Sequence, residues 1–136
     1  MVCALAIFAG ILAGRQNRSK KPPAKESAVA QGAKLYKQNC AVCHGNDGTG
    51  GGAPPRSSQF TKPTPDLTTL SKRHDGKFPA AYVEEVLRSG AKTPDHGPAE
   101  MPIWGTIFKA TTKSNEAEVK QRIVDLTAYL ESLQIK

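Results

Sequence analysis

The pentapeptide Cys40-Ala41-Val42-Cys43-His44 constrains this chain more than any other stretch. Two thiols with two residues between them can add to the two vinyl groups of one porphyrin. The thioethers so formed resist the reduction and exchange that open a disulfide. The next residue then lies beneath the porphyrin iron, where an imidazole nitrogen can bind it. This spacing is that of a covalent haem attachment site. Two other readings compete with it. A redox dithiol uses the same C-x-x-C but normally sits in a βαβ pattern, and none is visible. A zinc site needs a second pair of ligands. The only other cysteine is Cys3, in an apolar N-terminal run, and no two histidines are four apart.

Length and composition favour a fold built round such a group. The chain has 136 residues, which suggests one domain. Aromatic residues make up only 6% of it, and 12 glycines and 10 prolines imply many turns. So small a domain is marginally stable by itself. A buried porphyrin would add several hundred Å² of apolar contact at ~25 cal/mol per Å². The chain without it is therefore expected to be largely unfolded. The formal net charge is +7, but Arg15, Arg18, Lys20 and Lys21 precede the domain, leaving +3 for the rest. With no basic patch interleaved with aromatics, a nucleic-acid partner is not expected.

Residues 1–14 hold an apolar run, Val2 to Ala13, that is short for a membrane span. It suits the core of a secretory signal. However, its positive cluster follows the run instead of preceding it, and no clean A-x-A cleavage site is present. The expectation is a truncated signal whose natural start lies upstream, with an uncleaved membrane tether as the alternative. Residues 15–27, rich in Lys and Pro, read as a polar basic linker, and residues 28–136 as the folded domain.

Within the domain, Ser27 can cap a helix from Ala28 to Asn39, with Gly32 and Tyr36 on one face. The interior glycine suggests close approach of another helix. Gly45 to Pro55 is a glycine-rich loop with no strand before it and no Gly-Lys-Ser/Thr after it, so it is not a phosphate cradle. Residues 54–69 read as irregular loop, with Leu67 and Leu70 packing inward round a short helical turn. Pro79 opens a second helix to about Arg88, and Gly90 ends it. Met101 lies in a proline-bracketed loop three residues before Trp104 and 57 after His44, enough chain to pass round a haem. Val119, Ile123, Leu126, Leu130 and Leu133 define an amphipathic last helix from about Glu116 to Leu133. Asn115 and Glu118 form its capping box, and the Gly32/Tyr36 face is its expected partner.

In this order, a helix with Gly32 and Tyr36, then CAVCH, then Met-Pro in a loop, then a helix with Leu126, Tyr129 and Leu130, the chain resembles a bacterial class I c-type cytochrome over roughly residues 28–135. The stretch HGPAEMPIWGTIF from His96 is similar to small exported cytochromes of bacterial respiratory chains.

The resemblance implies an all-α cytochrome c fold, with about three main helices and long loops wrapped round one covalent haem. Cys40 and Cys43 would carry the thioethers, His44 would be the proximal iron ligand and Met101 the distal one. A carbonyl of Pro54 or Pro55 would accept the other ring N–H of His44. Trp104 would pack on the haem edge or donate to a propionate, with a plain core role as the alternative. The implied function is one-electron transfer as a carrier, not an enzyme, in the periplasm. Its partners would be a dehydrogenase, an oxidase or a cytochrome complex, and the chain would be a monomer. Lys34, Lys37, Lys62, Lys72, Arg73 and Lys77 could form a basic rim for an acidic partner. A haem sensor or minor peroxidase is the alternative, with Met101 labile and His96 or His74 acting as acid or base or replacing it.

Overall fold

The longest helices among the described residues meet where a side chain is missing. Helix α1 runs Ala24–Asn39 and the last helix, α6, runs Glu116–Ser132. A Cβ on Gly32 would fall on the carbonyl oxygen of Asp125 and lie 2.7 Å from the Cβ of Tyr129. Glycine thus lets the backbones approach more closely than any side chain would permit. One turn on, the rings of Tyr36 and Tyr129 meet at 5.2 Å, tilted by 52°. The computed structural model describes residues 24–52, 64–90, 101–113 and 115–135.

Between these two lie α2 (Ala41–His44), α3 (Leu70–Arg73), α4 (Ala80–Ser89) and α5 (Trp104–Thr112). The described residues form helices and loops only, so the fold is all-α. One core joins them, in which Tyr36, Leu70, Val83, Leu87, Trp104, Phe108, Val119, Ile123, Leu126 and Leu130 are buried. Burying a large apolar side chain contributes about 1.5–3 kcal/mol. Helix α6 supplies four of these residues at the 4, 3, 4 spacing seen in its sequence. Its start is fixed by Asn115, whose side chain accepts from the Glu118 N–H at 3.0 Å. Among the described residues no helix is long and apolar enough to cross a membrane.

Two elements depart from the sequence expectation. Helix α1 begins at Ala24, not Ala28, directly after Pro23 and inside the stretch assigned to the linker. Ala24, Lys25 and Glu26 are good helix formers, and Ser27 lies within the helix. Helix α4 follows the expectation and ends at Gly90; its Val83 and Leu87 are buried, and its exposed Tyr82 has its ring 5.8 Å from that of His74. Helix α5 occupies sequence with β-branched Thr106, Ile107, Thr111 and Thr112, a composition with poor helix propensity. Tertiary packing supplies the stability instead. Trp104 and Phe108, four apart, are both buried with rings 5.8 Å apart, and Arg122 of α6 lies 5.7 Å from the Phe108 ring. Among the described residues α1, α4, α5 and α6 are the substantial helices, where the sequence suggested about three.

Candidate functional site

Cys40 lies between α1 and α2 as the N-cap of α2, so the attachment pentapeptide is a single helical turn. The N–H groups of Cys43 and His44 both donate to the Cys40 carbonyl, at 3.1 and 2.9 Å. Residues three and four apart share a helix face, so this turn brings both thiols and the imidazole to one side. Val42, between the cysteines, is 54% exposed, whereas Cys40 and His44 are buried and Cys43 is half-buried. The turn therefore has a buried face carrying chemistry and an open edge.

The Cys40 thiol is pushed up to about 12, first by burial and then by the neighbouring Cys43. A redox dithiol needs an attacking thiolate, and hence a lowered pKa. Cys40 is a neutral, buried thiol at pH 7, which opposes that reading and suits a sulfur that ends as an uncharged thioether. Among the described residues no group of three His, Cys, Asp or Glu converges on a metal-sized site, so the zinc reading gains no ligands.

His44 is oriented through its ring. Its Nδ1 lies 3.2 Å from the carbonyl oxygen of Pro65. A carbonyl can only accept, so the contact places the proton on Nδ1 and leaves Nε2 as the lone-pair nitrogen. The sequence reading gave this carbonyl to Pro54 or Pro55. In the structure the Pro65 carbonyl makes this contact, and Pro54 and Pro55 lie outside the described residues. The chain passes from His44 through a tight loop in which the Gly50 N–H donates to the His44 carbonyl at 2.9 Å and Leu67 N–H to the Gly48 carbonyl at 2.7 Å. That return brings residue 65 to the imidazole. Within the loop the Asp47 carboxylate accepts from Thr49 N–H at 3.1 Å and Thr49 Oγ1 at 2.8 Å. These bonds hold its carboxyl below the usual range.

The wall behind His44 is braced by Tyr36, which donates its buried hydroxyl to the Gly45 carbonyl at 2.7 Å. Met101 is half-buried and packs against the core cluster just before α5. Trp104 sits in that core beside Phe108. His74 is exposed on the turn after α3, and His96 and Lys62 lie outside the described residues. Lys34, Lys37, Lys72, Arg73 and Lys77 are all exposed, and Arg73 is engaged with the Asp66 carbonyl at 2.9 Å. Pro65 and its neighbour Asp66 escaped notice because the sequence marks them only as two more turn-forming residues in a proline-rich stretch.

The donors present fit a haem: two sulfurs on one turn, an imidazole whose tautomer points a lone pair away from Pro65, and an apolar core alongside. The family model described as Cytochrome c matches residues 29–134. No significant match was found among curated proteins or among solved structures. The match covers the attachment turn, the Pro65 segment, Met101, α6 and most of α1, and this chain belongs to the cytochrome c family, whose chemistry is haem-based electron transfer with redox partner proteins.

Proposed function

We propose that this chain is a one-electron carrier with His44 and Met101 as the axial pair, acting in the periplasm as a mobile carrier or as the tethered subunit of a bacterial respiratory chain. The observation that carries the reading is the attachment turn, with Cys40, Cys43 and His44 on one face and the ring aimed by Pro65. Held by thioethers at Cys40 and Cys43, a haem supplies an iron that takes up and returns one electron. His44 donates its Nδ1 proton to Pro65, which fixes the ring and raises the basicity of Nε2. Met101 offers a soft thioether, a donor type that favours the reduced state and raises the potential. Trp104, Phe108 and Leu70 keep water from the interior, which penalises the extra charge of the oxidised form. Exposed Val42 lies at the edge where a partner would meet the thioethers, in an encounter expected to be small and transient. The periplasmic placement rests on the likeness of the stretch from His96 to exported cytochromes.

The test is the optical spectrum of the purified holoprotein, oxidised and dithionite-reduced. Sharp reduced α and β bands with a weak far-red ferric band of sulfur ligation are expected. A c-type spectrum lacking the far-red band would reject Met101 as the ferric ligand and turn attention to the sensor or peroxidase reading. Release of the haem protein by osmotic shock, against retention with membranes, distinguishes the mobile from the tethered form.

A further inference from the structure

The carbonyl that faces His44 belongs to residues 64–69, a segment with little regular structure, yet its neighbours hold it from two sides. On the glycine-loop side, Leu67 N–H donates to Gly48 at 2.7 Å. Gly50, at φ +89°, lies so close that a Cβ there would run into the Thr64 carbonyl. On the other side the end of the chain reaches across. Gln134 Nε2 donates to the Leu67 carbonyl at 2.8 Å and to the Leu130 carbonyl at 2.7 Å. Its Oε1 accepts from Ser71 N–H at 2.8 Å, and Ile135 N–H donates to the Thr68 carbonyl at 3.0 Å. The Asp66 carbonyl accepts from Arg73 Nη2 at 2.9 Å and from Thr69 Oγ1 at 3.3 Å. The carbonyls of residues 65, 66, 67 and 68 thus each meet a specific partner, two of them from the residues after α6.

A bond from Gln134 to Leu130 alone would be an ordinary helix end. Bonds to Leu67 and Ser71, 67 and 63 residues away in sequence, have no role in ending α6. They fix the segment that carries Pro65. The margin there is small, because 3.2 Å between His44 Nδ1 and Pro65 O is already at the long end of the N–H···O range. A few tenths of an ångström of slack would break the contact. We propose that Gln134 is a positioning residue for His44, holding the Pro65 carbonyl where it accepts the ring Nδ1 proton and so setting the donor strength of Nε2. The inference rests on the axial role of His44 given above.

The holoprotein tests it in the wild type, in Gln134→Met, which keeps the volume and removes the amide, and in the control Gln121→Met, which removes a partly buried bond to Asp125 on the same helix. Three quantities are read: exchange of the His44 ring N–H and of the Leu67 amide by proton NMR in the ferrous state, and the midpoint potential. Gln134→Met is expected to speed both exchanges roughly ten-fold, the equivalent of about 1.4 kcal/mol. The potential should rise, because a less basic imidazole stabilises the oxidised iron less. Gln121→Met should move none of the three. A Gln134→Met protein that melts earlier with ring exchange and potential unchanged would reduce Gln134 to a helix end and overturn the proposal. Should that variant fail to mature, Ile135→Pro, which deletes the bond to Thr68, is read in the same way, and unchanged values there overturn it equally. A wild type without the spectrum of an imidazole-ligated c-type haem would defeat the axial reading itself and the positioning role with it. Leu67 exchange, which needs no iron ligation, would separate that failure from a failure of the latch.

Discussion

Single atoms decide most of the chemistry at this site. Replacing Met101 by Ala removes the thioether but leaves the attachment turn untouched. The expected protein keeps its reduced α band, loses the far-red ferric band and binds carbon monoxide when reduced. Its potential should fall by a sizeable part of the roughly 0.8 V that axial ligands span, measured by redox titration. Tyr36 acts through its hydroxyl. Tyr36→Phe deletes the 2.7 Å bond to Gly45 and leaves a buried carbonyl without that donor, for an expected loss of about 1–2 kcal/mol. Burial, above all, raises the Tyr36 pKa well above its ordinary value of 10.0. The folded chain therefore keeps a proton that the unfolded chain releases, and stability is complete below about pH 10 and declines above it. Urea titrations of wild type and Tyr36→Phe between pH 7 and 11 should show their stability gap narrowing above pH 10. A constant gap would refute the linkage.

Among the elements, the α1–α6 crossing has the least room to adjust. The atoms that a Gly32 side chain would meet are the Asp125 carbonyl and the Tyr129 Cβ, none of them the far end of a flexible chain. Gly32→Ala should cost about 1–3 kcal/mol of overpacking, in spite of a gain of up to ~1 kcal/mol in helix propensity. Chemical denaturation followed at the haem band checks this, and a stabilised variant would show that the helices slide apart freely. Helix α5 shows the opposite balance between sequence and packing. Its threonines give no helical signal, and it forms because Trp104 and Phe108 find a place between α4 and α6.

For the molecule as a whole, the core is short of large side chains and the attachment turn lies against it. A chain with Cys40→Ser and Cys43→Ser, unable to form thioethers, should lose most of its far-ultraviolet helical signal and its cooperative thermal transition. Small domains bury too little surface to fold with much to spare. Wild-type helicity and a sharp transition in that variant would show that the protein core suffices alone.

The features legible in the sequence all depend on residues within a turn or two of one another. The 40, 43, 44 spacing places three donors on one helical face wherever that turn occurs. The 4, 3, 4 spacing of Val119, Ile123, Leu126 and Leu130 gives α6 its buried side, and Asn115 caps it through a bond three residues long. Gly32 announced a close helix contact, and Tyr36 and Tyr129 supplied its aromatic flank. Other features belong to the path of the chain. Every residue carries a carbonyl, so no side-chain pattern could reveal that Pro65 would face His44. That choice depends on where the loop returns after Gly50 and on the grip of Gln134, 67 residues beyond Leu67. Local spacing determined what this chain binds with, and tertiary closure decided how firmly the imidazole is aimed.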